Sequence, residues 1–290
     1  MLPASFAYIA ARSVDEAIEL LGKHGEDAKL LAGGHSLIPA MKLRLASPRY
    51  LIDLGSVPGL RGVRVDGDSL VIGALTVHAD VAASDPVRKQ LPGLAEAASV
   101  IGDAQVRNRG TMGGSVVHAD PAADLPVILT ALNAAFVLQS SSAKRTIAAD
   151  DFFLDFYSTA IAADEVLTEI RVPLPSSGGA TAYAKLPHPA SGYVVVSAGV
   201  LIHRRSSGQC TSARIALGGM SSGPIRAKAT EAALQGEMLT ADIIANAAAK
   251  AAEGTDPDDD SYATANYKRQ VATVYARRAI EKAIGISRET

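Results

Sequence analysis

Cysteine is almost absent: the 290 residues include one, Cys210. A single cysteine excludes an internal disulfide framework, and it excludes an iron–sulfur cluster held by the cysteines of this chain alone. Any such centre serving the protein must lie on another chain. Charge of one sign is equally scarce, because 28 Lys+Arg nearly cancel 30 Asp+Glu and no block of five like charges occurs. That leaves no electrostatic footprint for nucleic acid or an anionic membrane. Long apolar runs are also missing. "LPVILTALNAAFVL" and "YVVVSAGVLI" are too short to span a bilayer, and "MLPASFAYIAARSVDEA" lacks the basic start and long apolar core of a signal peptide. A cytoplasmic chain without a membrane span is expected.

Signature motifs are wanting too. There is no G-x-G-x-x-G and no G-K-[ST], which disfavours a nicotinamide Rossmann domain and a Walker loop, and a Ser–His–Asp hydrolase is not expected. His35, His118 and His188 have no metal-ligand spacing among themselves and no nearby cysteine, so no metal site is expected in this chain.

What is present is a globular chain. The length suits two domains at roughly 100 to 200 residues each, and 48% hydrophobic content can fill their cores. "SVDEAIELLGKHG" predicts a helix with Ser13 and Glu16 at capping-box spacing and Gly22 and Gly25 as stops. "AKLLAGG" reads as a buried strand, and "SLIPAMKLRL" as a helix capped by Ser36 with Pro39 in its first turn. "YLIDL" is a further strand, and "LRGVRVDGDSLVIGA" a hairpin turning at Asp66-Gly67. "LPGLAEAASVIG" predicts a helix with Leu94, Ala98 and Ile101 on its apolar face, and Asp120-Pro121 predicts the start of another carrying Ala123, Val127, Ile128 and Leu132. "AAFVLQS" and "EVLTEIRVPLP" continue as strands. Residues 173 to 181, "PLPSSGGAT", are rich enough in Pro, Gly and Ser to be a linker. Beyond it come strands at "TAYAKL", "YVVVSAGVLIHRR" and "CTSARIALGG", then helices at "IRAKATEAALQG", "TADIIANAAAKAAEG" and "ATANYKRQVATVYARRAIEKAIG". Strands followed by helices suggest an α+β unit.

Two glycine segments carry the chemistry. In "KLLAGGHSLIPAMKLR" a strand runs through Gly33 and Gly34 into a helix, where freed backbone N–H groups and the helix dipole together favour a phosphate. Taken alone, this is equally a tight strand-to-helix turn. "GTMGGS", residues 110 to 115, repeats the chemistry with Thr111, Gly113 and Gly114, and a dinucleotide pyrophosphate could lie between the two. Asp124, just downstream, is placed to accept hydrogen bonds from ribose hydroxyls or an adenine amine.

"AGGHSLIPAMKLRL" together with "RNRGTMGGSVVHADPAADLP" resembles the FAD-binding medium subunit of the molybdenum hydroxylases, the family that includes aerobic carbon monoxide dehydrogenase and xanthine dehydrogenase. The likeness spans nearly the whole chain, and "LPASFAY", "DEVLTEIRVPLP" and "YKRQVATVYARRAIEKA" lean towards the carbon monoxide dehydrogenase branch. The resemblance implies an α+β fold of the vanillyl-alcohol-oxidase (PCMH) type over residues 1–175, in subdomains of about 1–55 and 56–175, followed over residues 176–290 by a domain with a small antiparallel sheet and a helix bundle. It implies FAD as cofactor, its pyrophosphate held by Lys29, Leu30, Leu31, Ala32, Gly33, Gly34, His35 and Ser36 and by Thr111, Met112, Gly113, Gly114 and Ser115. Asp124 would bind the adenosine side. Ile101 and Leu167 would lie near the isoalloxazine, Lys185 would offer a positive charge to reduced anionic flavin, and Tyr193 would pack on the ring. Plainer roles stay open: Lys185 as an exposed strand lysine, Tyr193 as a core or interface side chain. Ser115 stands where many relatives have Asn, and His35 is a main-chain contributor rather than a covalent anchor.

The resemblance further implies partners: a large molybdenum subunit that oxidises the substrate and a small subunit with [2Fe–2S] clusters, assembled as a dimer of heterotrimers that passes electrons through this FAD to an acceptor such as quinone. Carbon monoxide is the expected substrate of the whole enzyme, with aldehyde, xanthine or N-heterocycle dehydrogenation as the alternative. A self-contained flavin enzyme and a scaffold that has lost its cofactor are the remaining readings. The location expected is the cytoplasm, with association at the inner membrane face left open.

Overall fold

The computed structural model describes residues 2–286, which form four sheets and the helices that cover them. The first sheet is parallel, with Tyr50–Asp53 between Ala7–Ala10 and Ala28–Leu31. The crossover that parallel strands require is helix Val14–His24. Ser13 caps it by accepting a hydrogen bond from the Glu16 N–H at 3.0 Å. The Glu16 carboxylate does not close the expected capping box on Ser13; it accepts from the Arg12 N–H at 2.7 Å and from the Arg12 guanidinium. Gly22 lies inside the helix and is no stop, which falls to Gly25 at φ +51°. Ala17, Ile18 and Leu21 face Ala28 and Ile52 in a small core.

The second sheet is antiparallel, in the order Val63–Asp66, Ser69–Gly73, Val166–Pro173, Ala135–Gln139, Lys144–Ala148. Its first hairpin pairs Asp66 with Ser69, so the loop is Gly67-Asp68 rather than Asp66-Gly67, with Gly67 at φ +60°. Helix Pro92–Ser99 ends before Ile101, which therefore lies in the following loop and not on the helix face. The helix expected to open at Asp120-Pro121 begins instead at Asp124, because Asp120 turns its carboxylate to the Ala122 N–H at 2.9 Å and holds residues 120–122 in a turn. The short helix Met112–His118 escaped the sequence pattern, since glycines at 113 and 114 weaken its propensity.

The third sheet, in the order Gly179–Pro187, Val194–Arg204, Cys210–Gly218, Ile225–Arg226, is antiparallel throughout. Ile225–Arg226 is a strand where a helix start was expected; the helix begins at Lys228. Val194–Arg204 reads as an unbroken apolar run because both of its faces are covered. Val196, Ala198, Val200 and Ile202 face the C-terminal helices Lys228–Leu234, Ala241–Ala248 and Ala265–Ile284, while Leu201 joins the core around helix Asp124–Ala131. That helix is buried on every side. It approaches the sheet so closely that a Cβ at Gly199 would sit 3.0 Å from Ile128 Cα. Asp124, at its first position, is thereby fixed beside the third sheet, against Tyr183 and Lys185. The letters Gly219-Met220-Ser221-Ser222-Gly223 do fit G-x-S-x-G, but they run from strand Cys210–Gly218 into strand Ile225–Arg226, and a nucleophile elbow needs a helix there. Among the described residues no helix is long and apolar enough to cross a membrane.

Candidate functional site

The first glycine segment leaves the edge strand Ala28–Leu31 and turns into helix Leu37–Lys42. The strand is less buried than expected: Ala28 is buried, Lys29 exposed, Leu30 and Leu31 half-buried. Ala32 through Ser36 form the turn, with Gly34 at φ +77°, a conformation that favours glycine. Ser36 takes helical dihedrals and makes no side-chain cap, contrary to its expected role, so its hydroxyl is not spent on the helix. The N–H groups of Gly33, Gly34, His35 and Ser36 find no protein acceptor among the described residues. His35 is exposed, its Nδ1 3.3 Å from the Gly33 carbonyl oxygen.

The second segment lies directly against the first. A Cβ on Gly33 would fall 2.2 Å from the Arg109 carbonyl oxygen and 2.9 Å from Gly110 Cα, so only glycine permits this contact. Thr111 caps helix Met112–His118 by accepting from the Gly114 N–H at 3.1 Å. Most donors here are already used: Met112 N–H goes to Thr76 O at 2.9 Å, Gly113 N–H to Ala74 O at 2.8 Å, and Ser115 N–H to Thr111 O at 3.0 Å, while the Thr111 N–H finds no acceptor among the described residues. Met112 and Gly113 are buried. The two segments are thus brought together but are not equivalent. Most of the free amides belong to 33–36, and the second segment contributes its shape, the Thr111 N–H and the Ser115 hydroxyl.

His78, which the sequence did not single out, supports this junction. Its N–H donates to the Gly110 carbonyl at 3.0 Å, and a Cβ on Gly110 would meet its Nε2 at 2.8 Å. Its Nδ1 is buried without a hydrogen-bond partner among the described residues. Burial, with a smaller contribution from the nearby His35, lowers the His78 pKa to about 4. The unfolded chain therefore binds the extra proton between pH 6.5 and about 4, and the stability that depends on neutral His78 is complete above pH 6.5 and lost as pH falls through that window. The loss amounts to about 3 kcal/mol at pH 4. In His78→Gln, the pH dependence of thermal unfolding between pH 6.5 and 4 should flatten by that amount. A slope equal to that of the parent would contradict this account.

A third group of candidates meets around Asp124. Its carboxylate accepts from Lys185 Nζ at 2.8 Å and from the Tyr183 hydroxyl at 2.9 Å, with the Asp124 side chain 5% and the Lys185 side chain 7% exposed. Burial pushes the Asp124 carboxyl up, against the opposing pull of Lys185 and Tyr183. Lys185 is therefore not an exposed strand lysine. Asp124 and Lys185 were expected at opposite ends of the cofactor; their direct contact places both at one point of the fold. Tyr183 was missed, although its spacing of two from Lys185 sets both side chains on one face of the strand. Ile101 is half-buried in its loop, and Leu167 is 5% exposed in the core of the second sheet, at a β-bulge. Tyr193 is 47% exposed, which rules out a core position, and its phenol is raised by partial burial and by Asp120 and Asp124. Tyr157 (φ +52°) packs on His118 with ring centroids 5.1 Å apart.

Comparison with known proteins gives this geometry its context. Residues 4–175 match the family described as "FAD binding domain in molybdopterin dehydrogenase", and residues 181–283 match the "CO dehydrogenase flavoprotein C-terminal domain". The carbon monoxide dehydrogenase medium chain of Hydrogenophaga pseudoflava is 42% identical over 98% of each chain. The 6-hydroxypseudooxynicotine dehydrogenase complex subunit alpha of Paenarthrobacter nicotinovorans is 37% identical over 100% of this chain and 98% of its own. A solved structure of the Hydrogenophaga pseudoflava carbon monoxide dehydrogenase that lacks the Mo-pyranopterin moiety of its molybdenum cofactor superposes with a TM-score of 0.95, at 44% identity, over 99% of this chain and 100% of that one. The expected two-part α+β architecture stands, and unengaged amides at a turn that no Cβ would fit suit a dinucleotide cofactor. The chain belongs to the family of FAD-binding subunits of molybdopterin dehydrogenases, with the carbon monoxide dehydrogenase type of flavoprotein C-terminal domain.

Proposed function

We propose that this chain is the FAD-carrying medium subunit of a three-subunit molybdenum hydroxylase, and that it relays electrons from [2Fe–2S] clusters of a small partner subunit to an external acceptor, a quinone. The observation that carries the reading is the loop Gly33–Ser36, four unengaged amides in a turn whose Gly33 lies against Arg109 and Gly110, in a chain of this family. Those amides and the Ser115 hydroxyl hold the pyrophosphate, with Lys29 through Ala32 and Thr111 through Gly114 framing it. Ile101, Leu167 and Tyr193 border the ring, and Asp124 and Lys185 stand together beside it. Bound FAD supplies a store for two electrons that can be filled one at a time. One cysteine cannot build the iron–sulfur relay, so the clusters fall to a partner. The FAD-binding unit is assigned to residues 1–175 and the C-terminal unit to 176–290, within a cytoplasmic dimer of heterotrimers.

Carbon monoxide is the substrate proposed for the whole enzyme, one molecule and a water yielding carbon dioxide, two protons and two electrons. The 37% identity to a subunit named for a nicotine-derived substrate favours a second reading, in which the same relay serves dehydrogenation of an N-heterocycle or aldehyde. The test is the purified complex under carbon monoxide, small aldehydes and purines, with flavin absorbance as the readout. Carbon monoxide should bleach the flavin in the complex and leave the isolated, FAD-loaded chain unchanged. Bleaching by an aldehyde or heterocycle alone would transfer the substrate assignment while keeping the relay. Substrate reduction of the isolated chain would overturn the relay itself.

A further inference from the structure

An ammonium group has three N–H donors and no acceptor. In Lys185 all three have protein partners: Asp124 Oδ1, the Val100 carbonyl oxygen and the Gly192 carbonyl oxygen, each at 2.8 Å. No donor is left over for a ligand. Its charge, moreover, is matched at contact distance by a carboxylate as buried as itself. The two carbonyls belong to the peptide units that lead into Ile101 and Tyr193. Their loops touch, since a Cβ on Gly192 (φ +73°) would lie 3.8 Å from Gly102 Cα. Gly192 N–H donates to His188 O at 2.8 Å, and Val194 N–H to Ala122 O at 3.0 Å, two residues from Asp124. Tyr183, two residues back on the same strand, donates its hydroxyl to the same Asp124 Oδ1 at 2.9 Å.

The geometry points to Lys185 as a positioning residue: its ammonium is a three-way clasp that ties the Val100–Gly102 loop and the Gly192-Tyr193 loop to Asp124, and so sets the spacing between Ile101 and Tyr193. This rests on the reading that these two side chains border the flavin. It replaces the expectation that Lys185 serves reduced flavin by its charge. Guanidinium is planar and wider, so arginine keeps the charge but cannot place donors on three acceptors converging on one nitrogen. Methionine removes both, and the stranded Asp124 then has a route to neutrality, because burial already pushes its carboxyl up.

The test compares the FAD-loaded full chain, alone and in its complex, with Lys185→Met and Lys185→Arg. Amide hydrogen exchange is read at Val100, Gly192 and Val194, whose N–H groups donate to Glu96 O, His188 O and Ala122 O, and the flavin is followed by fluorescence and midpoint potential. In both variants exchange should rise about ten-fold or more at these three amides, as expected when charge-assisted hydrogen bonds that hold their loops are lost. FAD should stay bound through Gly33–Ser36 and its fluorescence should rise as Tyr193 loosens, with the potential shifted alike in the two variants. Unchanged exchange in either variant overturns the clasp. Recovery of wild-type fluorescence and potential by arginine alone also overturns it, in favour of a role through charge. Should Lys185→Met fail to fold, Lys185→Arg carries the same two outcomes. A wild-type chain without FAD would sink the cofactor reading, while the exchange data would still decide the clasp.

Discussion

Replacing Gly33 with valine should yield a folded subunit that purifies without FAD. The added Cβ would sit 2.2 Å from the Arg109 carbonyl oxygen and 2.9 Å from Gly110 Cα. Both are main-chain atoms, so no rotamer change relieves the clash and the two segments must separate. Amide hydrogen bonds to a charged phosphate oxygen are worth about 1.5–3 kcal/mol each. Losing two of them costs about 3–6 kcal/mol, roughly 10²- to 10⁴-fold in affinity. Gly114→Ala is the matched control: its Cβ would meet only the Thr111 hydroxyl, at 2.7 Å, and Ala32 Cβ at 3.9 Å. A hydroxyl can rotate away for the loss of one cap bond, about 1 kcal/mol, so this variant should keep FAD at roughly five-fold weaker affinity. FAD stoichiometry and fluorescence titration, with circular dichroism to confirm folding, decide the matter. Full FAD content in Gly33→Val would remove the loop from the site.

Asp124→Ala should destabilise the cofactor-free chain by about 3–5 kcal/mol, the usual consequence of leaving one member of a buried ion pair alone. Here the abandoned groups are the Lys185 ammonium and the Tyr183 hydroxyl, whose acceptor disappears. The double variant Asp124→Leu, Lys185→Met should recover most of that loss, because the desolvated charges go together. Denaturant unfolding of the three proteins measures both quantities. A single-variant loss below about 1 kcal/mol would mean that the pair is solvated in solution.

Much of this molecule was legible beforehand where the signal is local. Helix Val14–His24 shows its cap residue, its apolar face and its terminal glycine in consecutive letters, and helix Ala265–Ile284 lies within the stretch where a helix was expected. Errors fall where one local rule competes with another. Asp120 looked like a helix opening but its carboxylate closes a turn, and Ile101 continued an apolar rhythm two residues past the helix end at Ser99. Helix Met112–His118 was hidden by its own glycines, one of which, Gly113, is there because a Cβ would meet the Ala74 side chain at 2.7 Å.

The sequence by itself determined the order of most elements, the two glycine segments and, through its lone cysteine, the exclusion of an iron–sulfur cluster held by the cysteines of this chain alone. These follow from backbone propensity, side-chain periodicity and a count of ligands, all of which act within a few residues or need no geometry. Only the tertiary structure decided that Gly33 abuts Arg109 and Gly110, that the free amides lie mostly in the first segment, and that Lys185 closes on Asp124, Val100 and Gly192. Each of those contacts joins residues far apart in the chain. Their distances are set by how helices and sheets pack in the shared core, and that packing is a property of the whole core rather than of any local stretch of sequence.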